Sequence, residues 1–244
     1  LDPAASSPMT EAGPVEVQRA AHAFNAMQAR IQSYLRERAQ ILASVSHDLQ
    51  TPITRMKLRV EMADQPELRD KLLNDLDNMT RLVREGIAYA RSSESLEETS
   101  LKLELNAWIN SIASDYQDIG KNVQLQATDA RLPVVTRPQA LRRVMTNLLD
   151  NALKFGDYAV ITIHSDAHHV TIAIRDGGPG IPDAELEAVL QPFYRVETSR
   201  NRDTGGTGLG LAIAAQLTAQ LGGKLHLANH AEGGLEVSIT LPRG

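Results

Sequence analysis

Between Pro14 and Pro52 the chain runs without Gly or Pro, and its apolar positions recur at helical spacing. Leu35, Leu42, Leu49 and Met56 step by seven. Val45 and Pro52 hold the second seam position, with polar Arg38 and Arg59 at the equivalent sites. With Leu42 as heptad position a and Val45 as d, this predicts a coiled-coil or bundle helix. From Pro14 to Asp64 it would run ~75 Å at ~1.5 Å per residue. A helix of that length cannot bury its stripe against itself, so a dimer is expected. Ala63-Asp64-Gln65-Pro66 marks a turn. Leu68, Leu72, Leu76, Met79, Leu82, Val83, Ile87 and Ala90 then predict a second helix at three- and four-residue steps. Such a pair is an αα-hairpin, and two hairpins make a four-helix bundle.

After the polar, acidic stretch Arg91–Ser100, which reads as a domain boundary, the periodicity changes. Leu101, Leu103 and Leu105 alternate as a strand, and Asn106 is the expected cap of a helix to about Ile119. Strands are expected around Val123–Leu125 and Val134–Val135, then a helix over Pro138–Phe155 with proline in its first turn. Strands at Ala159–His164 and Val170–Arg175 follow. A Gly/Pro-rich turn, a short helix and a polar loop come next, then a helix from about Gly208 to Leu221. Strands at Lys224–Leu227 and Leu235–Leu241 close the chain. This irregular alternation predicts an α/β sandwich with a mostly antiparallel or mixed sheet.

Composition narrows the function classes. Hydrophobic residues make up 42% and charged residues 23% of the 244, an ordinary globular balance. With 25 Lys+Arg against 30 Asp+Glu the net charge is −5, which argues against a nucleic-acid partner. The absence of cysteine excludes disulfides, thiol catalysis and Cys-ligated metal sites. No apolar run reaches the roughly 18 residues of a membrane span. Residues 1–14 are small, polar and Pro-containing, as in a loop. A start at Leu1 rather than Met suggests an excised piece of a longer protein, so membrane segments are expected only outside this sequence.

The helix over Pro138–Phe155 has two faces. Leu141, Met145, Leu148, Ala152 and Phe155 form the core stripe, and Arg143, Asn147, Asn151 and Lys154 line another. Amides and cations in line suit a metal–polyphosphate ligand, since an amide oxygen ligates Mg²⁺ and an ammonium neutralises phosphate. Taken alone, the simpler reading is a solvated outer face. Two glycine clusters shift that balance. Asp176-Gly177-Gly178-Pro179-Gly180-Ile181 follows an expected strand, and Gly205-Gly206-Thr207-Gly208-Leu209-Gly210-Leu211 opens an expected helix. Glycine lets backbone approach a ligand, and a helix N-terminus offers its N–H groups to phosphate.

These runs resemble a family. Residues 147–155 (NLLDNALKF) resemble the N box of sensor histidine kinases. Residues 176–181 resemble the G1 box, Pro192-Phe193-Tyr194-Arg195 the F box, and 205–211 the G2 box, in the family's order and spacing. Ser46-His47-Asp48-Leu49-Gln50-Thr51-Pro52 resembles the H box, with Gln50 where the family has Arg. Glu16 and Phe24-Asn25-Ala26-Met27 resemble the second helix of a HAMP signal-relay module. The resemblance implies three parts: a partial HAMP-like helix and linker (1–36), a dimerisation and histidine-phosphotransfer domain (37–95), and a catalytic ATP-binding domain (101–244) of the Bergerat, or GHKL, type. It implies ATP and Mg²⁺ as cofactors, a homodimer, a response-regulator receiver domain as partner, and a cytoplasmic fragment of an inner-membrane protein.

Residue roles follow from the same resemblance. His47 is the phospho-acceptor, Asp48 its acid–base partner, and Thr51 the residue that positions water for phosphatase action. In the heptad His47 falls at f, away from the seam, with Thr51 one turn on. Pro52 cannot donate to the carbonyl of residue 48, so a bend or loosening is expected there. Asp176 is assigned to the adenine amino group, Asn151 to Mg²⁺, and Lys154 and Arg195 to phosphates. Asn147, Gly178 and Gly180 complete the nucleotide site, with Gly206, Thr207, Gly208 and Gly210 as the hinge of a lid over the phosphates, the lid itself being Glu197–Thr204. Related ATPases carry Glu where this chain has Asn147, and an amide cannot serve as their base, which favours transfer to a side chain over hydrolysis. His164, His168 and His169 read as solvent-exposed. Two rival readings stand beside the kinase: an ATPase or Ser/Thr kinase of the same fold, and a non-catalytic dimeric scaffold.

Overall fold

Helix α1 (Val15–Glu61) and helix α2 (Pro66–Arg91) form an antiparallel hairpin. They belong to a computed structural model that describes residues 9–62, 65–91, 98–126, 131–196, 207–230 and 233–243. Side chains are described throughout those segments except at 32, 34–48, 88, 90 and 91. The chain divides into two compact units, Leu1–Glu97 and Glu98–Gly244.

In the first unit α1 continues through Pro52, as the expected helix from Pro14 to Asp64 does. A proline withholds a single N–H, and neighbouring contacts outweigh that loss. Ile53 is buried among the hairpin residues, and the Thr54 hydroxyl donates to the Gln50 carbonyl at 2.9 Å. Leu76 is buried likewise, and Lys57 pairs with Asp77 across the hairpin. The expected stripe of α2 is therefore split. Leu76 is covered within the chain, whereas Leu68, Leu72, Met79 and Leu82 remain exposed, as do Leu49 and Met56 of α1. Before α1, Met9 folds back so that its N–H and carbonyl bond the Asn25 side chain at 2.8 and 2.9 Å.

The second unit layers helices on a mixed sheet. Strand β1 (Leu101–Glu104) pairs with β3 (Pro133–Thr136) in a two-stranded sheet. Strands β2 (Val123–Gln126), β4 (Ala159–Ser165), β5 (His169–Asp176), β6 (Lys224–Asn229) and β7 (Leu235–Pro242) form one sheet in the order β2-β4-β5-β7-β6. β2 and β4 run parallel and the other pairs antiparallel, so the mixed α/β expectation holds. Register places Ile161 opposite Ile174, Ile163 opposite Ile172, and Ile172 opposite Ile239, all buried on one face. Helices α3 (Leu105–Asp118), α4 (Pro138–Gly156) and α5 (Gly210–Gln220) bring Ile109, Leu141, Met145, Leu148 and Leu217 to that core.

Three local expectations change. Glu104, not Asn106, caps α3: its carboxylate accepts the Ala107 N–H at 2.8 Å and also the Leu132 N–H at 2.9 Å. Those bonds hold the Glu104 carboxyl below its ordinary value. The short helix after Ile181 is two single 3₁₀ turns, Asp183–Glu185 and Ala188–Leu190. Helix α5 begins at Gly210 rather than Gly208, because Gly208 sits at φ +73°, outside the helical region. Its far end meets buried Arg137, whose guanidinium donates to the Gln220 carbonyl and so places a cation at a helix C-terminus.

Candidate functional site

Helix α4 sets the site. Its start is fixed by a carboxylate supplied from forty residues away. The Glu98 oxygens accept the Gln139 and Ala140 N–H groups at 2.6 and 2.9 Å, while Pro138 has no N–H and Leu141 N–H bonds the Arg137 carbonyl. Every donor of the first turn is thereby met. The core side of α4 is wider than the predicted stripe, since Val144 and Leu149 are buried and Phe155 only half so.

The opposite face is not a solvated one. Arg143, Asn147 and Asn151 are half-buried, and only Lys154 is exposed. Burial pulls the Arg143 guanidinium below its usual value. The Asn147 amide donates to the Arg143 carbonyl at 2.8 Å. A Cβ on Gly210, the first residue of α5, would lie 3.5 Å from Asn147 Oδ1, so the start of α5 abuts this face. Lys154 Nζ stands 4.6 Å from the Phe155 ring centroid, in the last turn, where a cation also suits the helix dipole. Nearby, Tyr116 donates to Asp150 at 2.6 Å; burial, followed by that bond, raises the phenol above its ordinary value.

The C-terminus of α4 meets the Asp176 loop. A Cβ at Gly178 would lie 2.7 Å from the Phe155 carbonyl oxygen, and one at Gly156 would lie 2.6 Å from the Gly177 nitrogen. Only glycine fits where these segments touch. Asp176 is buried at the end of β5, and its Oδ1 accepts two N–H groups, from Gly178 at 2.8 Å and Leu235 at 3.0 Å. Both fix the same oxygen, which orients the carboxylate and leaves Oδ2 for a further donor. Gly180 adopts φ +74°, a left-handed conformation that glycine enters without strain.

The fold thus gathers Asn147, Asn151, Lys154, Asp176, Gly178, Gly180 and Gly210 around the end of α4, the β5 loop and the start of α5. Thr207 is buried beside this start, and the Gly208 carbonyl accepts the Phe193 N–H at 3.0 Å. That bond ties the 192–195 run to the 207–210 run. Tyr194 donates to Glu185 at 3.0 Å, and Arg195 is half-buried. Gly206 and the Glu197–Thr204 loop lie outside the described residues. Thr51 is exposed on α1; the backbone of His47 and Asp48 is helical, and their side chains lie outside those described. His164, His168 and His169 are exposed, the last two turned by Asp166, whose Oδ1 accepts both their N–H groups at 2.8 Å. Sequence reasoning missed the contacts of Glu98, Tyr116, Leu235 and Asn229, because their partners lie far away in the chain.

The donor set fits the expected ligands. A buried carboxylate in a cradle that a single Cβ would fill suits an exocyclic amine, and half-buried amide oxygens suit a hard divalent cation. Among the described residues no helix is long and apolar enough to cross a membrane.

Comparisons with known proteins give the family. The family of histidine kinase-, DNA gyrase B- and HSP90-like ATPases matches residues 136–244, and the His kinase A (phospho-acceptor) domain matches residues 37–95. The sensor histidine kinase GtrS of Pseudomonas aeruginosa is 38% identical over 98% of this chain and 49% of its own length. CpxA of Escherichia coli strain K12, also a sensor histidine kinase, is 30% identical over 96% of this chain and 53% of its own. The chain therefore spans about half the length of these curated relatives. The crystal structure of full-length ShkA in complex with AMPPNP shares the fold, with a TM-score of 0.65 at 22% identity over 83% of this chain and 45% of that one. With a phospho-acceptor domain followed by an ATPase domain, the chain belongs to the sensor histidine kinases of two-component systems.

Proposed function

We propose that this chain uses Mg·ATP to phosphorylate His47 and passes the phosphoryl group to an aspartate of a response-regulator receiver domain. The observation that carries the reading is the convergence of the α4 polar face, the Asp176 loop and the α5 N-terminus on one end of the sheet, in a chain whose residues 37–95 match the phospho-acceptor domain. Asp176 would take the adenine amino group on its second oxygen. Asn151 would ligate Mg²⁺ from α4, with Asn147 alongside and Lys154 and Arg195 neutralising phosphate. The backbone at Gly178, Gly180, Gly206, Thr207, Gly208 and Gly210 would lie against the nucleotide. Mg²⁺, when bound, supplies charge neutralisation across the phosphate oxygens.

In the transfer, a ring nitrogen of His47 forms a bond to the γ-phosphorus as the bond to the ADP oxygen breaks, and the Asp48 carboxylate holds the ring's other proton. The regulator's aspartate then takes the phosphoryl group from His47. Hydrolysis of that acyl phosphate, with Thr51 holding the attacking water, gives the phosphatase activity. Asn147 cannot deprotonate water, which disfavours the simple ATPase reading.

Assembly belongs to the same proposal. Leu49, Met56, Leu68, Leu72, Met79 and Leu82 are exposed in the single hairpin, and a second copy covering them makes a four-helix homodimer. Helix α1 runs unbroken from Val15 into the His47 segment, which supports a HAMP-like relay by its first part. We place the chain on the cytoplasmic side of an inner-membrane sensor. The test is incubation with γ-labelled ATP. Label should appear as acid-labile, alkali-stable phosphate, vanish in His47→Gln with ATP binding retained, and move to a receiver domain. Acid-stable phosphate, or normal labelling of His47→Gln, would refute the reading.

A further inference from the structure

The Asp176 loop is braced by a side chain that no nucleotide-binding motif includes. Asn229 is the last residue of β6. Its Oδ1 accepts the Ile181 N–H at 2.9 Å, and its Nδ2 donates to the Ile181 carbonyl at 2.7 Å and to Asp183 Oδ1 at 2.8 Å. The amide thus pairs with Ile181 as an adjacent strand would, and reaches one residue further. A Cβ at Gly180 would lie 2.6 Å from Asn229 Oδ1, so loop and amide are in direct contact. The same hairpin grips the other end of the loop. Leu235 N–H bonds Asp176 Oδ1, and the absent Cβ of Gly234 would fall 2.0 Å from the Asp176 carbonyl oxygen. Two bonds among His230, Gly233 and Gly234 close the connection between these grips.

The segment Asp176–Asp183 holds three glycines and two prolines. Its glycines leave it conformationally free unless something external fixes it, and ordering it on ligand binding would weaken affinity. We propose that Asn229 is a positioning residue for the nucleotide site: its amide splints this segment so that Asp176 and the Gly178–Gly180 backbone are set before ATP arrives. The inference rests on the assignment of the Asp176 loop to adenine. Asn229 touches no reacting group, so its loss acts on ATP affinity and leaves the rate at saturation alone.

The test uses the full chain. ATP affinity is measured with Mg²⁺ in a His47→Gln background, and KM and kcat for autophosphorylation in the wild-type background. Hydrogen exchange at the Ile181 amide reports the splint itself. Losing two or three hydrogen bonds of ordinary strength, partly replaced by water, predicts that Asn229→Ala raises Kd and KM by about five- to tenfold. kcat should hold within about twofold, and Ile181 should exchange faster by a similar factor. Isosteric Asn229→Asp keeps an acceptor for the Ile181 N–H but sets oxygen against the Ile181 carbonyl and the Asp183 carboxylate. It should behave likewise, and decides the matter if Asn229→Ala does not fold. Asp176→Asn is the control. If it loses ATP while both Asn229 variants bind normally, the splint is refuted and the adenine assignment stands. If Asp176→Asn binds ATP as the wild type does, both fall. A loss of kcat at unchanged KM would also overturn the proposal.

Discussion

Glu98→Ala removes the only side chain among the described residues that accepts from the first turn of α4, whose own N-cap residue, Arg137, makes no side-chain cap. Two N–H groups then lose their partner. Gln139 is exposed and its N–H turns to water, but Ala140 is 2% exposed and its N–H is left poorly solvated. A lost cap costs about 1 kcal/mol, and the lost carboxylate at the positive end of the helix dipole adds about 0.5–1 kcal/mol. The sum is about 1.5–2 kcal/mol. The chain's single tryptophan, Trp108, lies on α3 within the same unit, so its fluorescence follows the unfolding of that unit alone. With a urea slope of about 2 kcal/mol/M, the midpoint should fall by about 0.8–1 M. Glu98→Gln keeps one acceptor and loses the charge, and should fall by about half as much. A midpoint for Glu98→Ala within about 0.2 M of wild type, beyond what that slope could hide, would show that the cap contributes nothing.

Further outcomes test the site and its frame. Thr51→Ala should keep His47 labelling within a few-fold while lowering phosphatase activity by the order of 10²-fold, as loss of a water-positioning group does; equal falls in both rates would make Thr51 structural. Asn151→Ala should abolish labelling yet leave the Trp108 urea midpoint within about 0.5 M, because Leu148, Ala152 and Leu149 carry the packing; unchanged labelling removes Asn151 from the metal site. Glu104→Ala should destabilise the second unit by about 1 kcal/mol at neutral pH. Because the folded carboxyl titrates below its unfolded value, the stability it adds is present above about pH 4.5 and is lost as pH falls through the folded value. The gap between wild type and Glu104→Ala should therefore close in acid, and a gap independent of pH contradicts the cap.

What the sequence showed was whatever repeats or punctuates. Helix period gave α1, α2 and α4, alternation gave β4, β5 and β7, and the two glycine clusters marked the loops that meet at the site. What it concealed was contact between residues far apart in the chain. Asn106 looked like the cap of α3 because asparagine is a frequent one, yet Glu104 won by bonding Leu132 as well. Nothing near Glu98 announces that it serves a helix beginning forty residues on. The period of α4 alone left its polar face as a solvated one, because period cannot reveal a neighbour; the glycine clusters changed that reading, and α5 half-buries the face. Asn229 and Leu235 escaped for the same reason: their partners lie 48 and 59 residues upstream.

The place of β7 in the sheet has a consequence for biosynthesis. It lies between β5 and β6, and one of its amides fixes the buried carboxylate at the end of β5. A ribosome-bound chain therefore makes its helical hairpin first and cannot complete the sheet until residues 235–242 have left the exit tunnel. Arg91 and Pro242 are 151 residues apart. At about 5–20 residues per second the delay is on the order of ten to thirty seconds. During that interval the segment that matches the phospho-acceptor domain is complete, while the Asp176 carboxylate still lacks the Leu235 amide that fixes it.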